Sequence, residues 1–212
     1  MLNVQVYPLG PVQANCYIVI NENKDCLIID PGGDGEKLIK KLTALRVQPK
    51  AILLTHGHFD HIEAVDEIRE HYQIPVWIHE KESKWLLDPA LNGSKKYVDL
   101  PDISVKKADQ FFRKEGRMDM EGFTLELFHT PGHSPGSVSF YFPEDRIAIV
   151  GDTLFNGGIG RTDLVEGNHE VLIASITNKL LSLPDDAIIY PGHGPWTTPE
   201  DERKTNPFLR GK

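Results

Sequence analysis

Cysteine is scarce in this chain. The two present, Cys16 and Cys26, both lie inside apolar runs. Two thiols cannot form the framework of a disulfide scaffold, so buried, reduced cysteines are expected, as in a reducing cytosol. Long apolar runs are missing too, none approaching the ~20 residues that span a bilayer. The opening stretch Met1-Leu2-Asn3-Val4-Gln5-Val6 has no basic segment leading into an apolar one, so no secretory leader is expected. Positive charge is in the minority, with 23 Lys and Arg against 31 Asp and Glu and a net charge of -8. A nucleic-acid surface relies on clustered cations, so that class of partner is not expected. These shortages leave a soluble, cytoplasmic protein that acts on a small molecule, with neither membrane nor nucleic acid as partner.

Against those shortages, 40% hydrophobic and 25% charged residues over 212 positions describe an ordinary globular chain. A chain of this length buries roughly 70–75% of its unfolded surface without staples. No linker is visible, so a single domain over residues 1–212 is expected. Leu2 to Tyr7, Cys16 to Ile20 and Cys26 to Asp30 read as short strands between turn-rich pieces. Leu38, Ile39, Leu42 and Leu45 then fall at helical spacing, and after a strand Lys50 to Leu54 so do Ile62, Val65, Ile68 and Tyr72. Pro75 ends that second helix, Val76 to Ile78 returns as a strand, and Glu80 to Leu87 reads as a short third helix. Residues 88 to 116 show little periodicity and suggest a surface excursion, a lid or a disordered loop. Phe123 to Phe128, Ser137 to Phe142, Ile147 to Val150 and Ala187 to Tyr190 are further strands. Glu170 to Leu181 is a helix capped by Asn168, and a polar, Pro-punctuated tail follows the last strand.

The chemistry is concentrated in Thr55-His56-Gly57-His58-Phe59-Asp60-His61, where four metal-capable side chains fall within six residues at a strand-to-helix junction. His56 and His58, at i and i+2 on an extended segment, share a face. Other strand candidates also run into possible ligands: Leu125 to Phe128 into His133, Ala148 to Val150 into Asp152, and Ile188 to Tyr190 into His193. Ligands supplied by strand ends converge on one sheet edge. Thr130-Pro131-Gly132-His133 and Tyr190-Pro191-Gly192-His193 repeat a Pro-Gly-His turn, which suggests two similar halves packed face to face. The chain has nine histidines, of which His71, His79, His129 and His169 read as structural or solvated.

The candidate ligands are therefore His56, His58, Asp60, His61, His133, Asp152 and His193. All offer nitrogen or oxygen and none a thiolate, which suits zinc, iron or manganese alike. Seven donors exceed the need of one catalytic ion and fit two divalent ions if a carboxylate is shared. Asp152 is the natural bridge, since each of its oxygens can hold a different cation.

These motifs resemble the metallo-β-lactamase superfamily and, within it, glyoxalase II-like hydrolases, the hydroxyacylglutathione hydrolases of the short bacterial type. The resemblance spans nearly the whole chain, including His56 to His61, the turn ending at His133, Gly151-Asp152-Thr153-Leu154-Phe155 and Tyr190-Pro191-Gly192-His193-Gly194. It implies an α/β four-layer αββα sandwich with metals at one edge of the paired sheets. It also implies that His56, His58 and His133 hold one metal, that Asp60, His61 and His193 hold the other, and that Asp152 bridges. Two cations sharing a water make hydroxide available near neutral pH, since bound zinc lowers a water pKa from 15.7 to about 7. Such a bridging hydroxide, oriented by Asp60, suits an acyl-thioester, S-D-lactoylglutathione first among them. A thiol with a pKa of about 8.5 leaves as thiolate without a dedicated acid.

Gly157-Gly158-Ile159-Gly160-Arg161 resembles the glycine run that presents a basic residue to the glutathione carboxylate, which makes Arg161 the candidate substrate anchor or else a salt-bridge partner of Asp163 or Glu166. The chain stops at Lys212, without the helical C-terminal domain of the longer glyoxalase II enzymes, so another small acyl-thioester also fits. Rival readings are a persulfide dioxygenase-like iron oxidoreductase, similar around Gly160-Arg161-Thr162-Asp163, a nucleic-acid hydrolase, a β-lactamase, and a metal-binding scaffold without turnover.

Overall fold

The computed structural model describes residues 1–99 and 101–210. The chain divides into two compact units, Met1–Arg113 with Glu121–Phe123, and Lys114–Met120 with the chain from Thr124 onward. Among the described residues no helix is long and apolar enough to cross a membrane.

The first unit is built on a six-stranded sheet whose strands lie in chain order: β1 Asn3–Leu9, β2 Ala14–Ile20, β3 Asp25–Ile29, β4 Gln48–Leu53, β5 Val76–His79 and β6 Gln110–Phe112. The first three pair antiparallel, and β3 to β6 pair parallel. Parallel neighbours need crossovers. Helices α1 Gly35–Leu45 and α3 Val65–Tyr72 supply two of them. The period of two along a strand puts Ile18, Ile28, Ile52 and Val76 in one cross-strand ladder. That ladder packs with Leu38 and Leu42 of α1 and Val65 and Ile68 of α3 in one buried cluster. Fully burying such side chains stabilises by roughly 1.5–3 kcal/mol each.

The second helical stripe is not one helix. A short helix α2, Phe59–Ile62, ends before Ala64, whose backbone sits at φ -91°, ψ 4°. The Ala64 N–H donates to the Pro31 carbonyl at 3.0 Å, and α3 starts afresh at Val65. The third helix is likewise reduced to a 3-10 turn, Glu80–Glu82, followed by i to i+3 turns through Trp85 and Leu87. His79 explains the tight start, because its Nδ1 accepts the Lys81 N–H. In the segment expected as an excursion, lid or disordered loop, the described residues 95–99 and 101–109 run mostly exposed and without α-helix or strand, as an excursion would. The stretch is tied to the unit at a few points. Val105 and Ala108 join the core cluster, Asn92 and Ser94 are buried, and residues 110–112 form β6.

The second unit carries a five-stranded sheet in the order β13-β10-β9-β8-β7 and a two-stranded hairpin, β11-β12. The ranges are β7 Gly116–Met120, β8 Phe123–His129, β9 Val138–Phe142, β10 Ile147–Gly151, β11 Leu154–Phe155, β12 Gly158–Ile159 and β13 Ile188–Pro191. β10 and β13 run parallel, joined through helix α4 His169–Ser175 and a π turn Ile176–Leu180. Asn168 caps α4 as its sequence suggested, accepting the Val171 N–H at 3.0 Å. The helix then slips register, the Leu181 N–H reaching back five places to the Ile176 carbonyl. Tyr141, Ala148 and Ile189 form the cross-strand ladder that packs on Leu172, Ile176 and Leu180.

The tail after β13 holds a helix, α5 Pro199–Thr205, with Thr198 as N-cap and Pro199 at its first position. That start signal stood in the sequence, although the prolines read as punctuation. The two Pro-Gly-His turns do not mark two halves. Both belong to the second unit, following β8 and ending β13.

Cys16 and Cys26 are buried free thiols, as expected. Burial, with the Asp25 carboxylate adding and Lys50 opposing, pushes the Cys26 thiol up to about 12. Burial, followed by Asp30 and Cys26, raises the Cys16 thiol well above its ordinary value. Because only the thiolate is nucleophilic, alkylation at pH 8 should run at least about 100-fold slower in the folded protein than in urea. Mass spectrometry after timed iodoacetamide quenching measures this, and equal rates in both states would contradict the burial.

Candidate metal centre

In the first unit the ligand loop leaves β4 at Leu53 and is anchored by a carboxylate absent from the sequence-derived ligand set. Asp30, fully buried at the end of β3, accepts the Thr55 N–H at 2.8 Å on one oxygen and the Thr55 hydroxyl at 2.6 Å on the other. The second oxygen also lies 3.0 Å from His61 Nδ1. Since the Thr55 hydroxyl proton goes to Asp30, the Thr55 oxygen faces His56 Nδ1, 3.0 Å away, with lone pairs only. Nδ1 of both His56 and His61 must therefore carry the proton, which leaves each Nε2 with its lone pair. An oxygen of Asp30 lies within 4.8 Å of ring nitrogens of His56 and His61. Its contacts with Thr55 and His61 make it the residue that orients these rings.

The three imidazoles of the loop are gathered as the motif suggested. The His56 and His58 ring centroids lie 4.8 Å apart at 90°, and those of His56 and His61 lie 4.3 Å apart. His58 is the N-cap of α2, and Asp60 and His61 lie on its single turn. An Asp60 oxygen approaches His61 Nε2 to 3.7 Å. Two donors bound to one tetrahedral ion at 2.0–2.2 Å stand about 3.4 Å apart, so this spacing needs little adjustment.

The second unit assembles His133, Asp152 and His193 by a parallel device. His133 Nδ1 donates to the Arg161 carbonyl at 2.8 Å, which again turns Nε2 outward from its support. One Asp152 oxygen lies 3.6 Å from His133 Nε2 and 3.7 Å from His193 Nε2. The same carboxylate oxygen thus lies near both imidazole nitrogens. Gly160 makes the approach of β12 possible, because a Cβ there would fall 1.9 Å from the Asp152 carbonyl and 3.1 Å from His133 Cβ.

The hairpin leading to Arg161 is held from α5. Glu202, buried, accepts the Gly157 N–H at 3.1 Å, the Thr197 hydroxyl at 2.5 Å and the Asn206 amide at 2.6 Å. Asn206 also donates to the Gly158 carbonyl at 3.1 Å. The Arg161 guanidinium pairs with Asp163 through two contacts of 2.7 and 2.8 Å.

The four remaining histidines lie outside the groups of side chains that could hold a metal ion among the described residues. His79 caps the 3-10 turn, and His129 Nε2 lies 2.9 Å from the Pro135 carbonyl. His71 lies against Tyr72, and His169 opens α4. The supporting residues Asp30, Thr55 and Glu202 were missed. Asp30 had one legible signal, a carboxylate ending an apolar run. Glu202 had none, because Glu200-Asp201-Glu202 reads as a solvated acidic cluster.

The family model described as the Metallo-beta-lactamase superfamily matches residues 9–193. This chain belongs to that superfamily. A Haemophilus influenzae protein named hydroxyacylglutathione hydrolase GloC is 40% identical over 212 residues, covering 100% of both chains. The crystal structure of BLEG-1 B3 metallo-beta-lactamase shows a chain 50% identical, with a TM-score of 0.96 over 99% of this chain and 100% of the other. That of TTHA1623 in a di-iron-bound form shows one 38% identical, with a TM-score of 0.85 over 97% and 100%. The fold is the metallo-β-lactamase fold, and the chain is a metallo-hydrolase of this superfamily. Five imidazoles and two carboxylates, without a thiolate, fit a dinuclear centre in number and kind.

Replacing Asp30 by Asn puts an amide donor against the Thr55 hydroxyl and His61 Nδ1–H in a site closed to water. We expect a loss of about 2–4 kcal/mol in urea unfolding of the metal-free protein. An unchanged midpoint would show that Asp30 does not anchor the loop.

Proposed function

We propose that the chain acts as a single domain whose seven candidate donors serve two cations. His56, His58 and His133 hold one, Asp60, His61 and His193 the other, and Asp152 serves both. Zinc suits this set, and iron or manganese suits the same nitrogen and oxygen donors. The di-iron-bound relative supports keeping iron in view. We propose that the reaction is hydrolysis of a small acyl-thioester, S-D-lactoylglutathione first among candidates, in the cytoplasm. The observation that carries this reading is the position of Asp152 between His133 and His193 Nε2, together with the full-length likeness to a hydroxyacylglutathione hydrolase.

When bound, the cations supply acidified water and polarise the scissile carbonyl. The chain's own residues do the rest. Asp60 would orient the attacking water by accepting a hydrogen bond from it. Asp30, Thr55 and the Arg161 carbonyl keep three rings in the required tautomer. The departing thiolate, with a thiol pKa of about 8.5, needs no acid from the protein. Arg161 binds the carboxylate of the thiol carrier. Its half-exposed guanidinium is held in place by Asp163.

A second reading is β-lactam hydrolysis, favoured by the 50% identity to a B3 metallo-beta-lactamase. An amide nitrogen leaves less readily than a thiolate and calls for a proton donor. A persulfide dioxygenase needs a single iron and three protein donors, fewer than this set provides.

Metal analysis beside turnover decides between these readings. Two equivalents per chain with lactoylglutathione hydrolysis is the expected result, and efficient β-lactam cleavage with no thioesterase activity would install the second reading. Asp152→Ala should lose both equivalents and turnover, while His193→Ala should lose one. Two equivalents retained by Asp152→Ala would remove the shared-ligand assignment.

A further inference from the structure

Glu82 ends the 3-10 turn after β5, and its side chain is fully buried. One of its oxygens accepts the Gly57 N–H at 2.5 Å. Gly57 is the single residue between His56 and His58, so this contact grips the peptide that joins two candidate ligands. The surroundings leave that peptide little room. A Cβ on Gly57 would meet Trp85 Cβ at 2.9 Å and Glu82 Oε2 at 3.2 Å. Trp85, itself buried, carries its ring 5.4 Å from that of His58. On the far side of His58 the Phe59 N–H donates to the Asn92 carbonyl at 3.0 Å. Asn92 is tied down in turn, its amide donating to the carbonyls of Trp85 at 3.2 Å and Ile103 at 2.8 Å.

Burying a carboxylate is costly, and a packing role alone would be served by an apolar side chain. We infer that Glu82 is a positioning residue, whose grip on the Gly57 N–H sets the orientation of the His56-Gly57-His58 peptides so that both rings face one cation. The inference rests on the two-cation reading. It differs from the tautomer control by Asp30 and Thr55, because Glu82 acts through the backbone and bears on where the rings stand. An acceptor atom at this place is what matters, so glutamine should substitute and alanine should not.

The test uses the full-length protein stripped of metal, titrated with cobalt(II) while its visible d–d bands are recorded. Zinc affinity is read in parallel by competition with a chromophoric chelator. Wild type and Glu82→Gln should bind two equivalents with the same spectrum. Glu82→Ala should lose about 10–100-fold in affinity for one equivalent, the loss typical of removing an outer partner, with altered bands and the other equivalent kept. Gly57→Ala, which leaves the carboxylate but pushes the backbone off it, should do the same. It decides the matter if Glu82→Ala does not fold. Wild-type affinity and spectrum in both Glu82→Ala and Gly57→Ala would overturn the inference, as would a Glu82→Gln variant as weak as alanine. A wild-type protein that takes up no cation would instead bring down the two-cation reading, and this inference with it.

Discussion

A neutral imidazole offers a lone pair at Nε2 only while its proton stays on Nδ1, and here three histidines have oxygen atoms holding it there. Asp30 acts on His61 directly and on His56 through the Thr55 hydroxyl, and the Arg161 carbonyl acts on His133. The arrangement is economical in residues but demanding in placement. Asp30 and the Arg161 carbonyl come from parts of the chain distant from the rings they serve, so tautomers and fold must form together. A local change at the end of β3 therefore reaches the chemistry through hydrogen bonds alone.

Each unit repeats one plan with different parts. A sheet buries an aliphatic ladder against a helix, its strands end in polar loops, and a buried carboxylate braces a glycine in one of those loops. Glu82 does this for Gly57 in the first unit and Glu202 for Gly157 in the second. Glycine suits both places for different reasons. Gly157 lies at φ +72°, where other side chains are strained, while Gly57 is packed so closely that a Cβ would collide with Trp85. The carboxylates are buried at a cost, and the rigidity they give the loops fits a site that must hold donors at fixed separations.

Much of the framework was legible because it is local. Strand alternation, the amphipathic stripe of α1 and the Asn168 cap are written in neighbouring residues, and these elements appear close to where the pattern put them. The failures share a cause in long-range contacts. The Pro31 carbonyl takes the Ala64 N–H and separates α2 from α3, and the Val105 N–H reaches back to the Leu86 carbonyl, tying down an otherwise exposed stretch. Both Pro-Gly-His turns were visible as turns, but nothing in either told which sheet it belonged to.

The sequence by itself determined that imidazoles and carboxylates cluster in one short motif and at strand ends, because residue type and spacing are properties of side chains and of short backbone stretches. It also settled the strands that deliver them, through periods of two and 3.6. What only tertiary structure decided is the company those residues keep. Glu82 and Glu202 resemble ordinary surface acids, and Asp30 shows only that it ends an apolar run, until the fold withdraws all three from water and turns each toward a donor. Burial and hydrogen-bond partnership arise between segments far apart in the chain, so no local pattern can carry them.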